Sequence, residues 1–409
     1  MKVKFVSVAL CLSLLALFPG CRMRTSDPRP TIPLVERVIN DVQSREHQFL
    51  LGYDPRDPRG DIVLLDSPER CFFFSECLVT ADDKDNVDGS SAPDLLPDFA
   101  GERITSVIDL LYPSYASFLA ADNAPALREV TVRAALSAVD TACCLGPFDH
   151  EKRSVKPSAK LLVITSPYMA AHGGFDVDTL FRSLTGYAPV LNIPEVMMER
   201  VMDKRDGAVS IGILTDSLTA SSGVYQGIFA ELANRRGEGY SSVHALYLPA
   251  EAASDSLSLS AAGMQQDALK MILDQYSRSG KTQALTALYV DDQRVTLDSL
   301  QASYARILSH PSEENAFYRK MLAKDFEMTD GARVVTDACY QYLRDNNLFT
   351  HNISYPVAAA FITSPESNEY MLMDFDPHAL TLEMLEKMQE IAPVTYKLYV
   401  QDQSHARGN

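Results

Sequence analysis

Polar and aromatic side chains gather just past short apolar runs in this 409-residue chain. Asp109, Tyr112 and Tyr115 come after the strand that begins at Ile104, and Ser166, Tyr168 and His172 come after Leu161–Thr165. Asp216 and Ser217, with Thr219, Ser221 and Ser222 behind them, follow Val209–Thr215, and Asp291-Asp292 follows Leu285–Val290. Tyrosine offers a flat apolar face with a hydroxyl handle, and carboxylates accept paired hydroxyls. Serines beside free N–H groups at a helix start can hold an anion. That mixture suits a small polar metabolite such as a sugar, a nucleoside or an amino acid. Asp109, Tyr112, Tyr115, Ser166, Tyr168, Asp216, Ser217 and Asp291 are therefore the candidate ligand contacts. The competing explanation for each is a solvent-exposed turn.

Catalytic signatures are sparse by comparison. The chain has no Walker A pattern, no G-x-G-x-x-G, no G-x-S-x-G elbow and no H-E-x-x-H, so no cofactor is expected. Eight histidines lie scattered without ligand spacing, and no cysteine pair has zinc-site spacing, so no metal is expected either. Asp82-Asp83-Lys84-Asp85 lacks the register of a calcium loop and reads as part of a solvated acidic loop over 80–101. Cys71 and Cys77 either close a small disulfide loop or act as buried free thiols.

The elements that would position these residues alternate. Continuous apolar runs at Ile104–Leu111, Leu161–Thr165, Pro189–Ile193, Val209–Thr215, Val243–Leu248, Leu285–Val290, Val357–Thr363 and Thr395–Val400 read as buried strands. Between them lie helical stripes such as Tyr225, Ile228, Phe229 and Leu232, or Leu269, Ile272, Leu273 and Tyr276. The fold class expected is α/β, with two Rossmann-like lobes of parallel sheet flanked by helices. Leu162–Pro167, Ala360–Pro365 and, more loosely, Leu64–Pro68 are each an apolar strand ending in Ser-Pro, which hints at two lobes built alike. Proline cannot extend a strand ladder and so ends it sharply. In open parallel sheets ligands bind beyond the carboxyl ends of the strands, where the candidate contacts fall.

The expected organisation is a leader over 1–20, a tether with an opening helix over 21–60, a first lobe over 61–205 and a second over 206–365. A C-terminal segment, 366–409, returns to a lobe. The leader combines Lys2 and Lys4 with an apolar run from Phe5 to Phe18, too short to span a bilayer. Cys21 directly after Gly20 resembles a bacterial lipobox, in the relaxed form similar to that of spirochaetes, with Phe18 where Leu is usual. That resemblance implies lipidation at Cys21 and a membrane-anchored, extracytoplasmic protein. The formal charge of −17 becomes −19 once Lys2 and Lys4 leave, which argues against a nucleic-acid partner.

The stretch Val209–Asp216, with the helix and strand that follow, resembles the opening of the second lobe in type I periplasmic binding proteins. With a lipoprotein signal upstream, the resemblance implies a lipid-anchored solute-binding component of an ABC importer, with a small polar solute and a permease as partners. The function expected is solute binding, without catalytic residues. Gly212–Tyr225 also looks like the glycine, Thr/Ser and tyrosine pattern of aspartate/glutamate racemases. That family needs two cysteines in Cys-Asn-Thr and Cys-Thr-His contexts, and Cys143, Cys144 and Cys339 have neither. A racemase-like or hydrolytic α/β enzyme, and a surface or assembly lipoprotein with no small-molecule ligand, are the alternatives.

Overall fold

A computed structural model describes residues 30–108, 115–146, 149–205, 207–237, 241–248, 259–280, 283–350, 352 and 354–362. The leader with Cys21, Asp109 and Tyr112, the expected strand Thr395–Val400 and the segment 366–409 lie outside these residues. Two short helices, α1 (Pro33–Asn40) and α2 (Arg45–Leu51), precede β1 (Asp61–Leu65) and α3 (Pro68–Thr80). After β2 (Arg103–Ile108) come α4 (Ala116–Ala120), α5 (Ala124–Val139) and a hairpin of β3 (Ala142–Gly146) and β4 (Asp149–Val155). Next are β5 (Ala159–Ile164), α6 (Pro167–His172), α7 (Gly174–Thr185), β6 (Val190–Asn192) and α8 (Ile193–Asp203). The chain continues with β7 (Ser210–Leu214), α9 (Ser217–Ser222), α10 (Val224–Arg236), β8 (Ser242–Leu246) and α11 (Leu259–Arg278). Then come β9 (Leu285–Val290), α12 (Leu297–Ser309), α13 (Glu313–Lys320), β10 (Leu322–Asp330), α14 (Gly331–Asp345) and β11 (Val357–Ile362).

The strands form two parallel sheets, in the orders β11-β2-β1-β5-β6 and β10-β9-β7-β8. The protein is thus α/β with two sheet-centred lobes. Every residue of β1, β5, β7 and β9 is buried, as strands covered by helices on both faces must be. Gly212 on β7 fits this packing because a Cβ there would stand 3.2 Å from Leu288 and 3.3 Å from Leu246. Gly223, at φ 72°, separates α9 from α10 with a left-handed turn that a larger residue would strain. That turn lets Tyr225 enter the core fully buried.

Two expectations need correction, and one pair of alternatives, the disulfide or free thiols of Cys71 and Cys77, is decided. Val357–Ile362, placed by its sequence position in a second lobe over 206–365, pairs with β2 in the first sheet. The helix before it, α14, packs on α3 and α8, so the chain has already left the second lobe after β10. The one opening helix expected within 21–60 is two: the chain breaks at 41–44, and Ser44 caps α2 by accepting the His47 N–H at 3.2 Å. Both short helices pack on α7, with Val35, Val38 and Leu50 buried, so this stretch belongs to the first lobe and is not a free tether. Cys71 and Cys77 are free thiols on α3. Six residues of helix separate their backbones by about 9 Å, beyond disulfide reach.

Candidate functional site in the cleft between the lobes

The carboxyl ends of β1, β5, β7 and β9 converge on a cleft of about 160 Å³. Each strand ends by starting a helix or turn, and each turn contributes a polar side chain. Asp66 ends the β1 run, and Ser67 and Pro68 then take the cap and first-turn positions of α3. Ser166 and Pro167 repeat that arrangement for α6, and here the serine oxygen accepts the Met169 N–H at 3.3 Å. The Ser-Pro pairs therefore do more than stop a strand: proline's fixed φ and missing N–H suit the first turn of a helix. Asp216 caps α9 in the second lobe, accepting the Leu218 and Thr219 N–H groups at 2.9 Å each.

Arg70, in the first turn of α3, is the centre of the site. Its Nε donates to Asp66 Oδ2 at 2.8 Å and its Nη2 to Asp291 Oδ1 at 2.8 Å. A third bond, 3.1 Å, goes from Nη2 to the Thr165 carbonyl, and the guanidinium lies 5.3 Å from the centre of the Phe74 ring. Asp66 and Thr165 belong to the first sheet and Asp291 to the second, so one cation ties the lobes together. The Thr165 hydroxyl donates to Asp66 at 2.6 Å, and the Tyr225 hydroxyl donates to Asp291 at 2.5 Å. A second bond across the seam runs from the Tyr168 hydroxyl to Thr219 Oγ1 at 3.1 Å.

Burial pushes the Asp291 carboxyl above its ordinary range, while Arg70 and the Tyr225 hydroxyl pull it back. Burial also works against the Arg70 charge, and Asp291 and Asp66 more than restore it. Tyr225 and Tyr168 are both raised, burial being the larger cause, so each remains a phenol and a donor.

Of the residues singled out from sequence, Tyr115, Ser166, Tyr168, Asp216 and Asp291 line this cleft. Ser217 does not: it is exposed at the start of α9. Asp109 and Tyr112 are outside the described residues. Asp66, Ser67 and Arg70 line the cleft without having been singled out, as does Thr219, which the sequence placed behind Asp216 but not among the contacts. A signal for three of them was present, because Asp66-Ser67-Pro68 repeats the Thr165-Ser166-Pro167 strand end and Arg70 stands four residues after Asp66. The expected use of the carboxylates also changes. Asp216 and Asp291 were to receive ligand hydroxyls, yet protein donors already occupy their oxygens, as they do those of Asp66.

A second hollow of about 260 Å³ opens beyond Asp291, between Phe73 and Phe74 of α3 and Asp292, Asp330 and Arg333. Its acids are largely committed: Asp292 binds Arg294 at 2.8 and 2.5 Å, and Asp330 caps α14. The interlobe cleft is the better candidate because residues of both lobes meet there around a buried charge. No group of three or more His, Cys, Asp or Glu that could hold a metal ion occurs among the described residues. No described cysteine lines the cleft. Cys71 follows Arg70 but turns away, its Sγ facing the Leu64 and Asp66 carbonyls at 3.8 and 3.6 Å, and burial pushes its thiol well up.

No family model and no curated protein matches the chain. Among solved structures, a glutamate racemase isoform of Bacillus anthracis superposes with a TM-score of 0.43 at 15% identity, over 76% of this chain and 90% of that one. The Francisella tularensis glutamate racemase in complex with D-glutamate gives 0.41 at 13%, over 75% and 89%. The Aquifex pyrophilus glutamate racemase gives 0.38 at 13%, over 75% and 90%. Superposition this loose says nothing about individual residues or chemistry.

Proposed function

We propose that this protein binds a small polar solute in the cleft between its lobes, and that it does so as a lipid-anchored extracytoplasmic protein, possessing Cys21 as its attachment point. The observation that carries the binding reading is the Arg70–Asp291 ion pair across the seam of an otherwise open polar cleft. The pair holds the two lobes together at the side of the cleft, and hinge closure of the lobes would enclose a polar solute there. Delivery of that solute to an ABC permease is the partner this reading names. The anchor rests on the leader pattern alone, and acylation is tested by labelling with a clickable palmitate, expected on the wild type and not on Cys21→Ala.

Native mass spectrometry of the full chain from its own host tests the binding. A retained small molecule is expected, and it should be missing from Leu218→Trp, which fills the cleft from a side chain that is 57% exposed. No adduct on the wild type, or the same adduct on both proteins, would overturn the reading. The racemase-like alternative, drawn from the Gly212–Tyr225 pattern, is checked with L-glutamate and L-aspartate in deuterated water. Exchange at Cα would replace solute binding with catalysis.

A further inference from the structure

The lining of the cleft is unbalanced in its hydrogen bonding. Its acceptors are used by the protein itself. Asp66 takes the Ser67 N–H, the Thr165 hydroxyl and Arg70 Nε; Asp291 takes Arg70 Nη2 and the Tyr225 hydroxyl. Asp216 takes two N–H groups and the Thr219 hydroxyl. What the protein leaves uncommitted are donors. Ser166, 1% exposed, accepts the Met169 N–H, and no described group accepts its own hydroxyl proton. Ser67 stands at the cap of the 13-residue α3 and makes no side-chain cap bond, so the Glu69 and Arg70 N–H groups lack that acceptor. Arg70 Nη1 carries two N–H groups and, among the described residues, is bonded only through one long contact, 3.4 Å, to the Asp291 carbonyl.

Donors without acceptors select a ligand group that only accepts. We infer that the solute enters the cleft oxyanion first, with a carboxylate or a phosphate seated against Ser67, Ser166 and the Nη1 edge of Arg70. This rests on the interlobe cleft being the binding site. Charge-assisted bonds to a guanidinium and to hydroxyls are the strong kind, and the amino end of α3 adds its favourable field. The nearby carboxylates oppose an anion, and the geometry limits that opposition. Asp66 and Asp291 are each already bonded to the Arg70 guanidinium, and Asp216 lies at the exposed edge holding the start of α9. A cationic group finds no comparable seat, since every cleft carboxylate is engaged.

Calorimetric titration of the full chain at constant ionic strength tests this, with sodium phosphate, sodium acetate and methylamine hydrochloride as probes. Phosphate or acetate should bind the wild type and methylamine should give no heat; the tighter anion identifies the source of the oxyanion. Ser67→Ala, which removes no cap bond, should weaken that anion by about tenfold, and Ser166→Ala by a similar factor. Leu218→Trp should abolish binding. Failure of both anions to bind, or wild-type affinity in both serine variants, overturns the inference. If methylamine binds and Leu218→Trp blocks it, the oxyanion inference fails while the cleft stands. Absence of any retained solute in the mass spectrum is the separate failure of the cleft itself.

Discussion

The two ends of the first sheet treat buried charge in opposite ways. At the amino end, Lys160 and Glu102 have fully buried side chains and pair at 2.5 Å. Lys160 also donates to the Pro58 and Leu348 carbonyls at 2.8 Å each, and Glu102 accepts the Thr350 N–H at 2.8 Å. Burial pulls the Lys160 ammonium down and pushes the Glu102 carboxyl up, so each charge survives there because the other answers it. The pair staples β5, the loop before β1 and the chain returning from α14. At the carboxyl end Arg70 also joins distant segments, but its side chain is 18% exposed and its Nη1 edge is underused. A closed ionic cluster holds the fold, whereas an unfinished one leaves work for a ligand.

The sharpest way to break that contrast is Lys160→Met, which strands Glu102 in the core and should cost about 3–5 kcal/mol of stability in urea unfolding. Adding Glu102→Leu should recover most of the loss. A double variant as unstable as the single would mean the amino end is not a self-contained pair. Arg70→Met should cost less, about 2–3 kcal/mol, because water can reach Asp66 and Asp291 from the cleft. It should also loosen the lobes and raise the radius of gyration in small-angle scattering. A loss equal to that of Lys160→Met with no expansion would erase the distinction between the two ends.

The pH dependence follows from Asp291. A carboxyl whose folded pKa is raised contributes stability below its unfolded value of about 3.9 and loses it as pH rises through the folded value. Measured against Asp291→Asn, the wild type should therefore lose stability across that interval. Parallel curves for the two proteins would show that Arg70 and Tyr225 cancel the burial effect entirely. Smaller still is Tyr168→Phe, which removes the interlobe bond to Thr219 and should cost about 1 kcal/mol. Ser217→Ala, exposed and outside the cleft, should change stability by less than about 0.5 kcal/mol and leave solute binding untouched. An effect of Ser217→Ala on binding would move the site.

Much of the sheet architecture was legible. Leu161–Thr165, Val209–Thr215 and Leu285–Val290 are mostly apolar because both faces of each strand are covered; the first overlaps β5, and the other two contain β7 and β9. β10 was not legible, since Leu322–Asp330 mixes charged and apolar residues as an edge strand does, and its register shifts between Leu322 and Glu327. The β3–β4 hairpin was also missed: its antiparallel pairs include Cys143 with Ser154 and Cys144 with Arg153, a polar partner strand with no apolar run. Within the cleft, Ser166, Tyr168, Asp216 and Asp291 could be named because each directly follows such a run. Arg70 was not named, because its one local signal, Asp66 four residues before it, does not say whether a first-turn arginine faces solvent or a cleft.

By itself the sequence determined the alternation of buried strands and amphipathic helices, and with it the rows of polar residues at the strand ends. Both are local matters, set by periodicity over a few residues and by the chemistry of serine, aspartate and proline at a helix start. The tertiary structure alone decided that Val357–Ile362 returns to the first sheet and that Arg70 meets Asp291, 221 residues away. It also decided that the cleft's carboxylates would be occupied and its donors left free. Those outcomes depend on which surfaces come together when two sheets pack, and no spacing along the chain records how far apart in space two residues will finish.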